Sequence, residues 1–538
     1  DDGSELNYET YGSFDAKTSA LASFLTGSGG GRVGGGKLAK GDRVLLVFEP
    51  SLHYIVSFVA CVRAGLVAVP VFPPDPRKLK KDMRMFATIV KDCGAQVALT
   101  SSTYNSAKKM AALKSMFGLD GSEKWPELEW ITVDQLGLEK AVASASASAS
   151  ATGAEVSPSD LAFLQYTSGS TSEPKGVMIT HGNLSHNLAA IVHELKAEDD
   201  TVVVSWLPQY HDMGLIGSYL GALFCGGTGY YLSPFAFLKQ PLLWLQTISK
   251  YKATHMQAPN FGYALAVRRF RALKRPLAGP KLDLSSVRHM INAAEPVAER
   301  DLADFEECFG SGAASGARLP KGVVFPTYGL AEHTVFVCSG GEQRLRVGKD
   351  ALELQGKVDC QPEEGASSVV IIGCGYPGRD RSEAGIERVR VAIVDENGNE
   401  LEEDRVGEIW VTSPSKAAGY WGKPEKSKED FGGKLKSRSS ASASSASEEE
   451  DGLEFLKTGD QGFLHMGELF ITGRLKDLII ARGRNHYPQD LERCVEAVAS
   501  DRFRPGRSAA FAVPVNGGTE EGVAVVAELR SPESAAAC

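Results

Sequence analysis

Short apolar runs alternate with helix-like patterns along most of this 538-residue chain. The runs at residues 43–48 and 96–100 have the length and composition of buried strands, whereas residues 52–64 are predicted to form a helix. Strands that alternate with helices form largely parallel sheets, and the helices cover the faces of those sheets. The sequence therefore predicts an α/β fold in which helices flank the parallel sheets of a large N-terminal domain.

The pattern changes near residue 367, where short strands begin to be joined by tight turns such as Glu396-Asn397-Gly398. A chain of this length is also too long for one ordinary domain. Three low-complexity stretches, which we expect to be solvated loops, are residues 27–36, 143–151 and 437–451. We expect three segments: an N-terminal α/β core at 1–366, a β-rich subdomain of the large domain at 367–473, and a small, truncated α+β C-terminal domain at 474–538.

The composition is that of a soluble globular protein, with 43% apolar and 23% charged residues. The net charge is −9 and no basic block stands out, so nucleic acid is not an expected partner. The nine cysteines form no C-x-x-C pair, which argues against a disulfide framework or a zinc site and favours a reducing compartment. We expect a cytoplasmic protein, although the N-terminus looks incomplete and leaves organelle targeting open.

One segment, residues 213–238, has no charged residue and is long enough to cross a bilayer. Gly226, Gly227 and Pro234 interrupt it, and residues 230–232 have the composition of a strand. We therefore predict a buried helix followed by a strand, and not a transmembrane protein.

The most informative local motif is a loop at residues 167–176, which we call the phosphate loop. It consists largely of small hydroxyl residues and glycines, and it follows an apolar run at residues 161–166. Such a loop bends tightly and presents backbone N–H groups, hydroxyls and one ammonium to a polyanion, which is phosphate-binding chemistry. It is not a Walker A loop, because Pro174 precedes Lys175 and Gly176 follows it. Two other motifs are excluded: residues 373–378 match G-x-G-x-x-G but contain Pro377, and no G-x-S-x-G occurs.

The loop resembles the nucleotide loop of adenylate-forming enzymes, the superfamily of acyl-CoA synthetases, luciferases and adenylation domains. Four further segments of that family have counterparts here in the same order: residues 292–296 (Asn-Ala-Ala-Glu-Pro), 328–332 (Tyr-Gly-Leu-Ala-Glu), 458–460 (Thr-Gly-Asp) and 473–477 (Gly-Arg-Leu-Lys-Asp). They resemble an adenine-side segment, an adenine- and Mg²⁺-binding segment, a ribose clamp and a hinge. Taken alone, Tyr328 and Asp460 would fit a structural role equally well.

The resemblance implies ATP and Mg²⁺ as cofactors and assigns a set of site residues. It implies catalytic roles for Lys175, Glu332 and His211, and it implies that Glu332 and Thr171 bind the metal ion. The residues that it gives to the nucleotide are Thr167, Ser168, Gly169, Ser170, Thr171, Lys175, Ala294, Glu295, Tyr328, Gly329, Asp460 and Arg474. Two alternatives stay open: His211 lies near the acyl carboxylate or is a buried structural histidine, and the helix after Met213 lines an acyl tunnel or is ordinary core.

Other segments narrow the resemblance to fatty acyl-AMP ligases. Residues 69–76, 205–217 and 482–492 resemble that group, as does an extra segment at about 339–373. The resemblance implies ATP-dependent activation of a fatty acid to acyl-adenylate with release of pyrophosphate. It also implies transfer of the acyl group to an acyl carrier protein, in cis or in trans, as in the loading of a polyketide or lipopeptide synthase.

Two alternatives remain at this stage. One is an acyl-CoA synthetase, and the other is a non-catalytic nucleotide- or acyl-binding domain. The second alternative is considered because this sequence differs from the family at one position. The family carries a lysine in a Gly-Lys context near its C-terminus, and this sequence has no lysine after Lys476. We therefore expect the chain as given to bind ATP and fatty acid but to form adenylate slowly.

Overall fold

The computed structural model describes residues 4–27, 37–75, 79–116, 125–140, 154–167, 174–273, 281–379, 381–436, 452–481, 484–498, 502–515 and 520–530. The chain divides into two compact units that are interleaved in sequence. The first unit consists of Asp1–Met256, Leu330–Phe336 and Pro414–Phe431, and the second of Gln257–Gly329, Val337–Ser413 and Gly432–Cys538. The three segments predicted from sequence follow another division, and their boundaries stay a prediction.

The described helices, in chain order, are α1 (Tyr11–Leu25), α2 (Leu52–Arg63), α3 (Leu79–Cys93), α4 (Ser102–Met116), α5 (His181–Glu194), a π-helix (Met213–Leu220), α6 (Gly221–Cys225), α7 (Pro234–Lys239), α8 (Leu242–Tyr251), α9 (Asn260–Arg271), α10 (Glu299–Phe309), α11 (Lys349–Gln355), α12 (Pro424–Phe431) and α13 (Pro488–Val498). Local sequence explains where several of them begin. At α5, the Thr180 hydroxyl accepts from the Asn183 N–H and the Asn183 side chain accepts from the Thr180 N–H, which is a capping box.

The described strands are β1 (Arg43–Val47), β2 (Val67–Pro70), β3 (Val97–Thr100), β4 (Glu129–Thr132), β5 (Leu161–Thr167), β6 (Lys175–Thr180), β7 (Val202–Ser205), β8 (Thr228–Tyr231), β9 (His255–Pro259), β10 (His289–Ala293), β11 (Val324–Pro326), β12 (Arg344–Gly348), β13 (Ser368–Ile372), β14 (Arg390–Val394), β15 (Gly407–Thr412), β16 (Leu456–His465), β17 (Glu468–Arg474), β18 (Ile479–Ala481), β19 (Arg484–His486), β20 (Phe503–Val515) and β21 (Glu520–Leu529). The short runs predicted at residues 43–48 and 96–100 are confirmed as β1 and β3.

The first unit contains a six-stranded sheet with the order β4-β3-β1-β2-β5-β6. All neighbours pair in parallel except β5 and β6, which form an antiparallel hairpin. The central strands β1 to β3 are almost wholly buried, as expected for parallel strands covered by helices on both faces. The α/β class predicted from the alternation of elements is confirmed, and β6 is an antiparallel addition to it.

The uncharged segment at residues 213–238 folds into four short elements of the first unit: the π-helix, α6, β8 and α7. Strand β8 pairs in parallel with β7, so a helix followed by a strand is confirmed. None of the described helices combines the length and the apolar character needed to span a bilayer.

The second unit is richer in antiparallel strands, as predicted from about residue 367. Strands β14-β15-β16-β17 form a four-stranded antiparallel sheet, and β12 pairs with β13 within the predicted extra segment. Strands β10 and β11 form a parallel pair. Residues 373–378 form a turn and not the start of a helix, so the rejection of a dinucleotide motif is confirmed. The low-complexity stretches lie outside the described residues, apart from Gly27.

Candidate active site

The predicted phosphate loop joins the two strands of the β5–β6 hairpin. Thr167 ends β5, Lys175 begins β6, and the two residues are directly opposed in the register. Residues 168–173 between them lie outside the described part of the chain. A Walker A loop leads from a strand into a helix, so a loop that returns into an antiparallel strand is a different arrangement.

A carboxylate, a phenol and an ammonium lie together in the first unit. The Tyr420 hydroxyl donates to Glu332 Oε1 at 3.0 Å, and the Lys175 ammonium lies over the Tyr420 ring, 4.5 Å from its centroid. Glu332 belongs to a short 3₁₀ turn, whereas Tyr420 is buried in the segment that precedes α12. We call Lys175, Glu332 and Tyr420 the anion cluster.

Backbone hydrogen bonds explain why Tyr420 reaches both partners. The Ala417 N–H donates to Glu332 O at 3.0 Å, and the Trp421 N–H donates to Gly176 O at 2.8 Å. Between these points, Met178 and the chain near Gly419 exchange two further backbone bonds of 2.9 Å. The segment therefore runs beside β6 with one end at Glu332 and the other at the phosphate loop.

The charge on Glu332 is tuned by its surroundings. Burial raises the pKa of its carboxyl group, and the charge of Asp212 acts in the same direction. The Tyr420 hydroxyl and the Lys175 ammonium oppose that shift, because both stabilise the ionised carboxylate. A partly buried carboxylate with its pKa raised by burial gains from any cation that approaches it.

His211 forms an ion pair with its neighbour in the chain. Asp212 Oδ1 lies 2.7 Å from His211 Nδ1, and this carboxylate raises the pKa of the imidazole. Burial alone would raise the pKa of Asp212, but His211 and the Met213 N–H outweigh burial and lower the pKa. The His211 side chain is exposed, and its position near an acyl carboxylate stays a prediction.

The π-helix that follows is fixed at its first turn. Asp212 Oδ1 accepts from the Met213 N–H at 2.6 Å, and a side chain at Gly214 would meet Pro208 O at 2.2 Å. Only glycine fits that approach. π-helical turns are rare and are found disproportionately at functional sites. The helix is buried along most of its length, so an acyl tunnel along it stays a prediction.

A residue with a strained backbone lies two positions after Glu332. Thr334 has φ of 66°, a region that costs a β-branched residue about 1–3 kcal/mol. Its hydroxyl donates to Ser415 O at 2.7 Å, and the neighbouring Asn187 side chain donates to Phe336 O at 2.9 Å. Side chains of the first unit therefore hold the turn that carries Glu332 in place.

In the second unit, Asp460 is the centre of a separate group that we call the acceptor cluster. Tyr328 donates to Asp460 Oδ2 at 2.7 Å, and Arg474 Nε donates to Asp460 Oδ1 at 3.0 Å. Asp460 and Arg474 are direct cross-strand partners on β16 and β17. Each carboxylate oxygen has two lone pairs and accepts one of these bonds, so, counting the described residues alone, each could accept one more hydrogen bond.

The predicted adenine-side residues follow β10 in the second unit. Ala294 is exposed and has φ of 68°, a left-handed conformation that is unfavourable for alanine. Glu295 accepts a hydrogen bond from the Phe261 N–H, and burial raises the pKa of its carboxyl group. A strained, exposed turn at the end of a buried strand is a common setting for a ligand contact.

The structure thus divides the predicted site residues into three sets. The first unit holds Thr167, Lys175, His211 and Glu332. The second unit holds Ala294, Glu295, Tyr328, Gly329, Asp460 and Arg474. Ser168, Gly169, Ser170 and Thr171 lie outside the described residues. The ligand roles assigned to all of them stay predictions.

Sequence reasoning missed Tyr420 and Asp212. Tyr420 is 88 residues from Glu332, so no local spacing could have paired them. Asp212 lies within the segment 205–217, but its role depends on the ion pair with His211. An acidic residue next to a candidate histidine was the available signal.

Known proteins resemble this chain over most of its length. Residues 4–421 match the family described as AMP-binding enzyme. The chain is 37% identical over 532 residues to the medium-chain-fatty-acid–acyl-carrier-protein ligase JamA of Moorena producens, and the match covers 98% of this chain and 81% of JamA. It is 34% identical to the long-chain-fatty-acid–AMP ligase FadD32 of Mycolicibacterium smegmatis, covering 88% of this chain and 71% of FadD32.

A solved structure gives the same result in three dimensions. A fatty acyl-adenylate ligase from L. pneumophila, in complex with acyl adenylate and pyrophosphate, is 34% identical to this chain and superposes with a TM-score of 0.73. The match covers 98% of this chain and 82% of that protein.

Proposed function

Because this chain belongs to the family of AMP-binding enzymes, we propose that it joins a fatty acid to the AMP moiety of ATP, releases pyrophosphate and passes the acyl group to an acyl carrier protein. The chain is a ligase, and use of ATP follows from the family. JamA is named for transfer to a carrier protein, FadD32 for formation of an AMP ester, and the L. pneumophila relative holds an acyl adenylate.

The observation that carries the proposal is the anion cluster. Attack of a carboxylate on the α-phosphorus of ATP brings two anions together, so the site must neutralise charge and hold the reactants in line. Lys175 lies at the end of the hairpin loop and would bind the leaving pyrophosphate. Tyr420 keeps Lys175 and Glu332 in a fixed relation, because it contacts both side chains.

Glu332 has the chemistry of a Mg²⁺ ligand. Mg²⁺ in nucleotide sites is commonly bound by one or two carboxylates together with phosphate oxygens and waters. A single, partly buried carboxylate beside a lysine fits that requirement, and Thr171 stays a predicted second ligand outside the described residues. When bound, the ion neutralises phosphate charge.

We assign the fatty carboxylate to His211. The Asp212 carboxylate raises the pKa of the imidazole and so favours its charged form, and a charged donor binds a carboxylate more tightly than a neutral one does. We assign the ribose hydroxyls to Asp460, whose oxygens retain acceptor capacity after the bonds from Tyr328 and Arg474.

The test is a pyrophosphate-release assay over saturated fatty acids of increasing length, with hydroxylamine present to trap acyl-adenylate. We expect release that depends on fatty acid, a trapped hydroxamate, and an acyl thioester when a phosphopantetheinylated carrier protein is added. Thioester formation on free coenzyme A would identify an acyl-CoA synthetase instead. Nucleotide binding without any pyrophosphate release would identify a non-catalytic binding domain.

Variants of the anion cluster sharpen that test. We expect Lys175→Ala and Glu332→Gln each to lower kcat/KM by roughly 100-fold or more, the usual cost of removing one electrostatic contact to a transition state. Tyr420→Phe keeps the ring under Lys175 and loses one hydrogen bond to a charged group, so we expect a loss of about 10-fold. Lys239→Ala and Tyr8→Phe, at exposed positions, are the matched controls. Equal activity of all five variants would contradict the proposal.

A further inference from the structure

Three side chains with metal-binding atoms converge in the second unit, apart from the acceptor cluster. They are Cys360 in the extra segment, Asp404 in the loop between β14 and β15, and His465 at the end of β16. One ligand atom from each residue lies within 4.8 Å of the other two. Because 44 to 105 residues separate these positions in sequence, only the fold brings them together.

The backbone fixes the three segments against one another. The Val358 N–H donates to Asp404 O at 2.9 Å, and the Asp404 N–H donates to Leu464 O at 2.9 Å. These bonds place the chain before Cys360 beside Asp404, and Asp404 beside His465. The geometry of the group therefore follows from main-chain pairing and does not depend on chance contacts between surface side chains.

The turns that carry the outer two residues are also fixed. Asp359 accepts from the Gln361 N–H with its carboxylate and from the Gly348 N–H with its carbonyl oxygen, at 3.0 and 2.9 Å, which holds the turn around Cys360. Glu403 accepts from the N–H groups of Met466 and Gly467, at 3.0 and 2.9 Å, directly after His465. Fixed turns reduce the conformational entropy that a ligand would otherwise have to remove.

The donor atoms are one sulfur, one imidazole nitrogen and one carboxylate oxygen. Zn²⁺ binds such atoms at about 2.0–2.3 Å, in sites where three protein ligands leave a position for water. Mg²⁺ prefers oxygen atoms alone, so this set selects a softer cation. The His465 Nδ1 atom lies 2.6 Å from Asp404 Oδ1, and small side-chain rotations would let an ion replace that contact.

We propose that Cys360, Asp404 and His465 form a binding site for a borderline-soft divalent cation of the Zn²⁺ class. On binding, the thiol releases its proton to solvent and forms a metal–sulfur bond, while the imidazole proton moves to Nε2 so that Nδ1 can coordinate. The ion would tie the extra segment to the four-stranded sheet of the second unit. The proposal does not depend on the reaction assigned above.

The experiment is a titration of the metal-free chain with Co²⁺, which reports sulfur coordination through a thiolate-to-cobalt charge-transfer band, followed by displacement with Zn²⁺. We expect one equivalent of Co²⁺ to produce the band and one equivalent of Zn²⁺ to remove it. Cys360→Ser should abolish the band, and His465→Gln should weaken binding at least tenfold. Cys494→Ser, at another exposed cysteine, and His193→Gln, at an exposed histidine, are the matched controls.

A second measurement separates loss of the site from loss of the fold. One equivalent of Zn²⁺ should raise the midpoint temperature of the chain and of both controls, and the rise should be smaller in Cys360→Ser and His465→Gln. Circular dichroism of each metal-free variant should match that of the unaltered chain, because the replaced side chains are at least partly exposed. Absence of the band at one equivalent, or a band lost in Cys494→Ser and kept in Cys360→Ser, would overturn the proposal.

Discussion

One neighbouring residue, Asp212, raises the pKa of His211. The Asp212 carboxylate, 2.7 Å from the imidazole, raises the pKa of His211, and this effect outweighs burial, which lowers it. Asp212 in turn is anchored by the Met213 N–H, which keeps the pair together. The ability of His211 to bind an anion therefore depends on a residue that has no assigned contact with substrate.

This arrangement predicts how affinity for the fatty acid changes with pH. His211 is charged below its raised pKa, so KM for the fatty acid should rise as pH increases through that pKa. Asp212→Asn removes the charge that raises the pKa, and the rise should then begin at a lower pH. Near neutral pH we expect the variant to have a KM for fatty acid about 10-fold higher, which is ~1.4 kcal/mol for a charged hydrogen bond.

The measurement is KM for fatty acid and for ATP between pH 6 and 9 in both proteins, a range chosen around the ordinary histidine pKa of about 6.5. KM for ATP serves as the internal control. If Asp212→Asn did not change how KM for the fatty acid depends on pH, His211 would not bind the carboxylate as an imidazolium.

At the scale of elements, helix α5 organises the anion cluster without contributing a residue to it. Asn183 donates to the carbonyl oxygens of Pro414 and Lys416 at 2.8 and 2.9 Å. One turn later, the side-chain amide of the buried Asn187 donates to the Phe336 carbonyl oxygen and accepts from the Phe336 N–H. It also donates to the Ser415 hydroxyl. Asparagines at i and i+4 lie on one face of a helix, so α5 holds both chain segments that carry Glu332 and Tyr420.

Replacement of Asn187 should therefore destabilise the first unit. Asn187→Ala leaves the Phe336 N–H and C=O groups buried without that partner, and we expect a cost of about 2–3 kcal/mol. The measurement is the urea midpoint together with the activity that remains at low denaturant. Ser185→Ala, at an exposed position of the same helix, should change stability by less than about 0.5 kcal/mol. Equal midpoints for the two variants would contradict this account of α5.

At the scale of the whole molecule, the first unit holds the anion cluster and the second unit holds the acceptor cluster. Stabilisation by ATP and by AMP should therefore depend differently on the two clusters. A ligand that binds only the folded chain stabilises it by about 2.7 kcal/mol at 100 times its Kd. We expect ATP and AMP both to raise the midpoint temperature. Lys175→Ala should reduce the effect of ATP and spare that of AMP, because AMP lacks the β- and γ-phosphates.

Asp460→Asn should reduce the effect of both nucleotides, because both carry the same ribose hydroxyls. Thermal unfolding at matched nucleotide concentrations is the measurement, with Lys239→Ala as the control. If Lys175→Ala reduced the rise in midpoint temperature caused by AMP as much as Asp460→Asn does, the anion cluster would not act on the terminal phosphates.

Local pattern determined much of this protein. Alternation of apolar runs and helical spacing predicted the α/β class, β1 and β3, and the break of the uncharged segment into helix and strand. The composition of the loop before Lys175 indicated phosphate binding, whereas the segments at 328–332 and 458–460 indicated a nucleotide only through their resemblance to a known family. The elements were predictable because hydrophobic period, capping and turn preference act over a few residues along the chain.

Only the tertiary structure decided which distant side chains meet. Tyr328 lies beside Asp460 across 132 residues, and Tyr420 beside Glu332 across 88. The absence of C-x-x-C pairs argued against a zinc site, yet Cys360, Asp404 and His465 converge through three segments that no spacing rule connects. Such contacts depend on how strands pair and segments pack over long separations, and the energies that fix them are not expressed in any local stretch of sequence.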